Sequence, residues 1–144
     1  MHLCYFILQN SKLKDHLEDI DILALMLGSI GHDIDHPGLN NLYLQKTKHI
    51  YAMPVNDQAI LEHYHSYNLF HLLSIPENNI LENLSPNDNL KLRKMICEGI
   101  LGTDMSQHFG MIAGFNKLIE RKNNGETIKD KVEDRIVRNK IITD

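Results

Sequence analysis

Residues 17–38 read LEDIDILALMLGSIGHDIDHPG. Leu17, Ile20, Leu23, Met26, Leu27 and Ile30 recur at helical spacing, and Ile22 and Leu25 widen that stripe. The spacing predicts an almost wholly buried helix. It is expected to stop near Asp35, because Pro37 disfavours helical geometry at His36 and Gly38 follows. A helix with so little polar surface needs other helices around it, and the rest of the chain supplies them. Asp57 is the expected N-cap of a second helix running through Leu73, with Ile60, Leu61, Tyr64 and Phe70 facing inward and Ser74-Ile75-Pro76 ending it. A short helix is expected over 79–84. Ser85-Pro86 then reads as an N-cap followed by a helix-starting proline. Behind it, Leu90, Leu92, Met95, Ile96, Ile100 and Leu101 form an amphipathic run. Helix is expected to continue from Thr103 to Glu120 after a kink at Gly102, with a loop at Asn123-Asn124-Gly125 and a last helix from Lys129 to Ile142. No segment alternates apolar and polar residues as a half-buried strand would. The fold class is therefore all-α, a multi-helix bundle without an internal linker.

Composition sets the outer limits. The chain has 144 residues, 42% hydrophobic and 24% charged, which suits one soluble globular domain. A net charge of −4 argues against nucleic acid, whose binders carry a basic face. The longest apolar run, Ile20 to Ile30, is interrupted by Asp21 and is too short to span a bilayer. The apolar N-terminus, Leu3 to Leu8, has neither a basic leader nor a small-residue cleavage site, so a cytoplasmic location is expected. Cys4 and Cys97 are too few and too far apart for a disulfide framework or a CxxC knuckle, and read as free thiols. Histidine is in excess, with nine copies, and it is the side chain best suited to metals and to proton transfer near neutral pH.

Five of those histidines fall in three acidic clusters. His32, Asp33, Asp35 and His36 crowd the end of the buried helix, where unpaired charge is expensive. Imidazole together with carboxylate suits zinc or another first-row divalent ion, and a carboxylate can bridge two ions. Glu62 and His65 share one helical face beside His63, and Thr103-Asp104 precedes His108. Taken singly, each cluster also fits a capped helix end or a solvated polar face. Together, on otherwise apolar helices, they point to a shared site.

The blocks HDIDHPGLNN (32–41), NDQAILEHYH (56–65) and LGTDMSQH (101–108), with LRKMI (92–96) between them, resemble the catalytic domain of class I cyclic nucleotide phosphodiesterases. The resemblance runs from Ile20 to Leu118 and implies a helical bundle of the phosphodiesterase and HD-domain type. On this reading residues 1–144 are a partial catalytic domain, truncated at both ends. The implied reaction is hydrolysis of cAMP or cGMP, or both, to the 5′-monophosphate in signal transduction. It uses two divalent ions, Zn²⁺ and either Mg²⁺ or Mn²⁺, which clamp the phosphate and acidify a water. By the resemblance, His32 and Asp33 are metal ligands, and Asp33 bridges the ions. His36, Glu62 and Thr103 hold waters around the second ion, while His65 and Asp104 stand behind them as polar supports. Asn41 is structural and Met105 lines the nucleotide pocket. The family's general-acid histidine matches no position here, so no catalytic residue is assigned; Asp144 is not counted as the last metal aspartate. Val55 stands where a tyrosine is usual and Tyr64 where a histidine is common. The alternatives are a non-catalytic relic or interaction module that keeps the helical fold, and an HD-type nucleotidase, against which the HPGLNN and TDMSQH blocks count.

Overall fold

Residues 1–124 are described by a computed structural model, and all their regular elements are helical, with no strand among them. The elements are α1 (His2–Asn10), a 3₁₀ turn at Lys12–His16, α2 (Asp19–Gly31), α3 (Asn41–Lys46), a 3₁₀ turn at Met53–Val55, α4 (Ile60–Ser74), a 3₁₀ turn at Pro76–Asn78, α5 (Pro86–Gly102) and α6 (Met105–Asn123). The helix expected over 129–142, Gly125 of the expected loop, and Asp144 lie outside the described residues. Among the described residues no helix is long and apolar enough to cross a membrane.

The stripe of 17–30 does what its spacing requires. Ala24 and Leu27 of α2 pack with Leu92, Ile96 and Ile100 of α5, with Leu69 of α4, and with Leu81 to form the main core. A capping box fixes the start of α2: the Glu18 side chain accepts from the backbone at Asp21, and Asp21 Oδ2 accepts the Glu18 N–H at 2.9 Å. Lys91 on α5 approaches both carboxylates, at 2.5 and 3.9 Å, tying the two helices at that end. α5 starts as its sequence requires, with Ser85 Oγ accepting the Asp88 N–H at 3.1 Å and Pro86 in the first turn. Arg93 lies 4.1 Å over the Phe70 ring and links α5 to α4. Leu44, Ala52, Ile60 and Leu61 make a second, smaller core with Leu39, Tyr51 and Val55.

The boundaries differ from expectation in four places. α2 ends at Gly31, because residues 32–35 form a turn that passes through a positive φ of 56° at Asp35. Asp57 does not cap α4; its own φ is 63°, Ala59 follows at 43°, and the helix begins at Ile60. No helix forms over 79–84. There Asn79 Oδ1 accepts the Leu81 N–H at 3.2 Å, a local bond that competes with helix and drops Leu81 into the core. Between α5 and α6 the chain breaks at Thr103-Asp104 instead of kinking. Cys4 and Cys97 are not joined in a disulfide among the described residues, and both are half-buried.

Two glycines of α2 have opposite surroundings. A Cβ on Gly31 would lie 2.6 Å from Leu69 Cδ2, whereas one on Gly28 meets nothing within 4 Å. Gly31→Ala is expected to overpack the α2–α4 contact and to lower unfolding stability by about 1–3 kcal/mol. Gly28→Ala should leave stability unchanged or raise it, by up to about 1 kcal/mol of helix propensity. Urea unfolding of the two variants side by side checks the contrast.

Candidate metal centre

The turn that ends α2 lies against α4, and the two together bring three of the sequence-selected side chains into one group. One ligand atom from each of Asp33, His36 and His65 falls within 4.8 Å of the others. His65 is 2% exposed, while Asp33 and His36 are exposed. The His36 and His65 rings stack with centroids 5.6 Å apart.

The hydrogen-bond partners assign the tautomers. His65 Nδ1 is 2.7 Å from the Ile34 carbonyl, which can only accept, so Nδ1 carries a proton, and in the neutral ring Nε2 keeps its lone pair. That lone pair faces Asp33 Oδ1 at 3.7 Å. Two acceptors turned toward each other at this distance repel unless a proton, a water or a cation stands between them. His32 has the same arrangement, with Nδ1 3.1 Å from the Ser29 carbonyl and Nε2 left as the donor atom for a ligand bond. His36 has the reverse: its Nδ1 accepts the Gly38 N–H at 3.0 Å, so the neutral ring carries its proton on Nε2. It is a hydrogen-bond donor toward the cluster.

The other selected residues are held locally. Glu62 Oε2 accepts from Asn41 Nδ2 at 2.9 Å, and Asn41 Oδ1 accepts the Leu61 N–H at 2.9 Å. Asn41 thus caps the first turn of α4 from 20 residues away and fixes Glu62 in the same step. Thr103 Oγ1 donates to the Ile100 carbonyl at 2.7 Å. Asp104 accepts from the Ser106 N–H at 2.9 Å and hydroxyl at 2.7 Å, capping α6. Met105 is 69% exposed at the start of that helix. His32, Thr103 and Asp104 lie outside the close group of three.

From sequence, Tyr64 reads as core and as a departure, Asp35 only as a member of the polar cluster at the end of α2, and Asn68 carries no role. In the structure the Tyr64 hydroxyl donates to Asp35 Oδ2, and Asn68 Nδ2 donates to the same oxygen at 3.4 Å. Tyr64 also stacks on Tyr51 at 4.1 Å between centroids. The signal available was the i, i+4 pair Tyr64 and Asn68, two hydrogen-bonding side chains on one face of α4 beside His65.

The Asp35 carboxylate is the main reason the Tyr64 phenol is pushed up to about 12; the side chain of Tyr51 adds to the shift and Asn68 opposes it. Because the folded value lies above the ordinary one of about 10, the stabilisation is complete below pH ~10 and is lost as pH rises through about 12. In an absorbance titration one of the five tyrosines is expected to ionise late, and Tyr64→Phe should delete that late component alone.

The family profile described as 3′,5′-cyclic nucleotide phosphodiesterase matches residues 1–143. The chain belongs to that family. Among curated relatives, the probable 3′,5′-cyclic-AMP phosphodiesterase pde-4 of Caenorhabditis elegans is 33% identical over 135 residues, 92% of this chain and 20% of that protein. The 3′,5′-cyclic-AMP phosphodiesterase 4C of Rattus norvegicus is 33% identical over 135 residues, 92% of this chain and 25% of its own length. The chain therefore spans a fifth to a quarter of these phosphodiesterases. Among solved structures, the phosphodiesterase domain of the Salpingoeca rosetta rhodopsin phosphodiesterase superposes with a TM-score of 0.78 at 29% identity, covering 88% of this chain and 38% of that one. The all-helical phosphodiesterase architecture read from the sequence blocks is the one the structure has.

Proposed function

We propose that the Asp33–His36–His65 group is part of a divalent-cation centre with which the protein hydrolyses a 3′,5′-cyclic nucleotide, cAMP or cGMP, to its 5′-monophosphate in cytoplasmic signalling. One observation carries the reading: a buried histidine whose proton is committed to Ile34 turns its lone pair on a carboxylate 3.7 Å away, an arrangement that a cation resolves. The donor set of imidazole nitrogen and carboxylate oxygen fits zinc, with magnesium or manganese favouring the carboxylate. His32 Nε2 and the Asp33 carboxylate would hold the ions, and His65, expected from the sequence as a polar support, would add its Nε2 as a further ligand atom. When bound, such ions supply electrophilic activation of the phosphodiester and make water a better nucleophile at neutral pH.

The chain's own residues do the rest of the positioning. His36 Nε2–H donates to a water or to a phosphate oxygen. Glu62, fixed by Asn41, accepts from a water on the other side, and Thr103 and Asp104 support that shell from the α5–α6 break. Met105 offers an exposed apolar surface for the nucleoside. In the reaction, the water oxygen bonds to phosphorus, the bond from phosphorus to the 3′ oxygen breaks, and that oxygen takes a proton from a general acid. No residue of this chain is assigned as that acid, so the 144-residue chain by itself is expected to turn over at well below ~1 s⁻¹.

The test is release of 5′-monophosphate from cAMP and cGMP with and without EDTA, beside zinc binding by the same protein. Slow turnover that EDTA abolishes and Zn²⁺ or Mn²⁺ restores is the expected result. Turnover untouched by EDTA, or no zinc bound at micromolar concentration, would sink the proposal.

A further inference from the structure

We infer that Tyr64 and Asn68 form a clamp on Asp35 that holds the 33–38 turn in the shape in which Asp33 and His36 meet His65. This rests on the metal-centre reading above and deepens it: Tyr64 touches neither cation nor substrate and acts as a positioning residue.

The turn needs such a hold. It passes through the left-handed region at Asp35, with φ of 56°, which is sterically disfavoured for an L-residue even though aspartate tolerates it better than most. Asp33, Asp35 and His36 are all exposed, so burial does not fix them. What fixes them comes from α4, which grips two successive residues of the turn. His65 takes the Ile34 carbonyl at 2.7 Å, and Tyr64 and Asn68 take the Asp35 carboxylate. Tyr64 and Asn68 lie one helical turn apart and bracket His65, so a single helix face carries the buried imidazole and both jaws of the clamp. Tyr64 is itself steadied by its 4.1 Å stack on Tyr51, which packs against the smaller core.

The clamp also makes a choice between carboxylates. Asp33 and Asp35 are two residues apart, and either could approach a cation held by His65. Two hydrogen bonds engage one oxygen of Asp35, Oδ2, and tie that carboxylate to Tyr64 and Asn68, while Asp33 is the one that faces His65 Nε2.

The experiment uses the 144-residue chain and three variants, Tyr64→Phe, Asn68→Ala and Asp35→Asn. Zinc affinity is read by competition with a chromophoric chelator. Melting of the metal-free protein and amide exchange at Ile34 and Gly38, whose N–H groups are bonded within the turn, are measured in parallel. Tyr64→Phe is expected to weaken zinc about 10- to 100-fold, the range for groups that orient a ligand through another residue. It should speed exchange at Ile34 and Gly38 while the melting midpoint falls by no more than the few degrees that one exposed hydrogen bond accounts for, and Asn68→Ala should do the same more weakly. Asp35→Asn keeps an acceptor for Tyr64 and tolerates the left-handed backbone, so it should retain most of the affinity. Zinc affinity and turn exchange unchanged by Tyr64→Phe would overturn the clamp alone. An affinity loss that merely follows a fall in melting midpoint would reduce Tyr64 to packing and overturn it too. A wild-type chain that binds no zinc would defeat the metal-centre reading itself, and the positioning role with it.

Discussion

Asp33→Asn is expected to abolish divalent-cation binding and whatever hydrolysis depends on it, more completely than His36→Ala or Glu62→Gln. The reason is charge as much as geometry. Asparagine is close to isosteric with aspartate, so the turn should fold as before, but it brings no negative charge to face the His65 lone pair at 3.7 Å. As the carboxylate proposed to serve both ions, Asp33 has no substitute in the group of three. His36, by its tautomer, presents an N–H toward the cluster, and Glu62 is engaged with Asn41, so both are proposed to act through a water. Removing groups of that kind costs about 10–100-fold. Zinc affinity and kcat measured side by side for the three variants decide the order. An Asp33→Asn protein that binds zinc as tightly as the parent would end the assignment.

The second large effect is expected far from the chemistry. Leu92 and Ile96 are fully enclosed between α2, α4 and α5. Truncating either to alanine removes apolar contacts on several sides and leaves a cavity that flanking helices can only partly close, at a cost of about 2–5 kcal/mol each. Small domains hold only about 5–15 kcal/mol in total, so Leu92→Ala with Ile96→Ala should leave the chain mostly unfolded at room temperature. Leu90 is the internal control. It belongs to the same apolar run but is 68% exposed, and Leu90→Ala should move stability by no more than about 0.5 kcal/mol. Urea midpoints for the three single variants test this. A Leu90→Ala cost equal to that of Leu92→Ala would mean that the helix face is assigned wrongly.

Leu90 also marks what the sequence could and could not convey. Periodicity made the buried stripe of α2, the capped start of α5 and the all-helical class legible, because each is a local pattern. It did not distinguish Leu90 and Ile30, which continue their stripes yet stand exposed, since coverage depends on what packs opposite. The start of α4 was misread for a related reason. Asp57 carries a capping side chain in the right neighbourhood, but the cap comes from Asn41, across 20 residues. The site was legible as three polar clusters on apolar helices. Which members meet was not, because the His65–Asp33 approach and the Tyr64–Asp35 bond span 32 and 29 residues and are created by the docking of α4 on the turn. The blocks that carry the phosphodiesterase resemblance supplied the family, which those clusters alone left open.

Asn41 has a bearing on how damaging variants of this protein should be interpreted. One carboxamide secures the first turn of α4 and the Glu62 carboxylate together, and it stands at the start of α3, whose Leu44 is sealed beneath it in the smaller core. A substitution at Leu44 or Ala52 is therefore expected to loosen an acidic group of the proposed site without touching it and without melting the main core. In a loss-of-function screen such positions should surface among inactive alleles whose protein still accumulates to normal levels, and they would be mistaken for contacts with the nucleotide. Abundance and activity scored on the same clones would separate the two kinds of lesion.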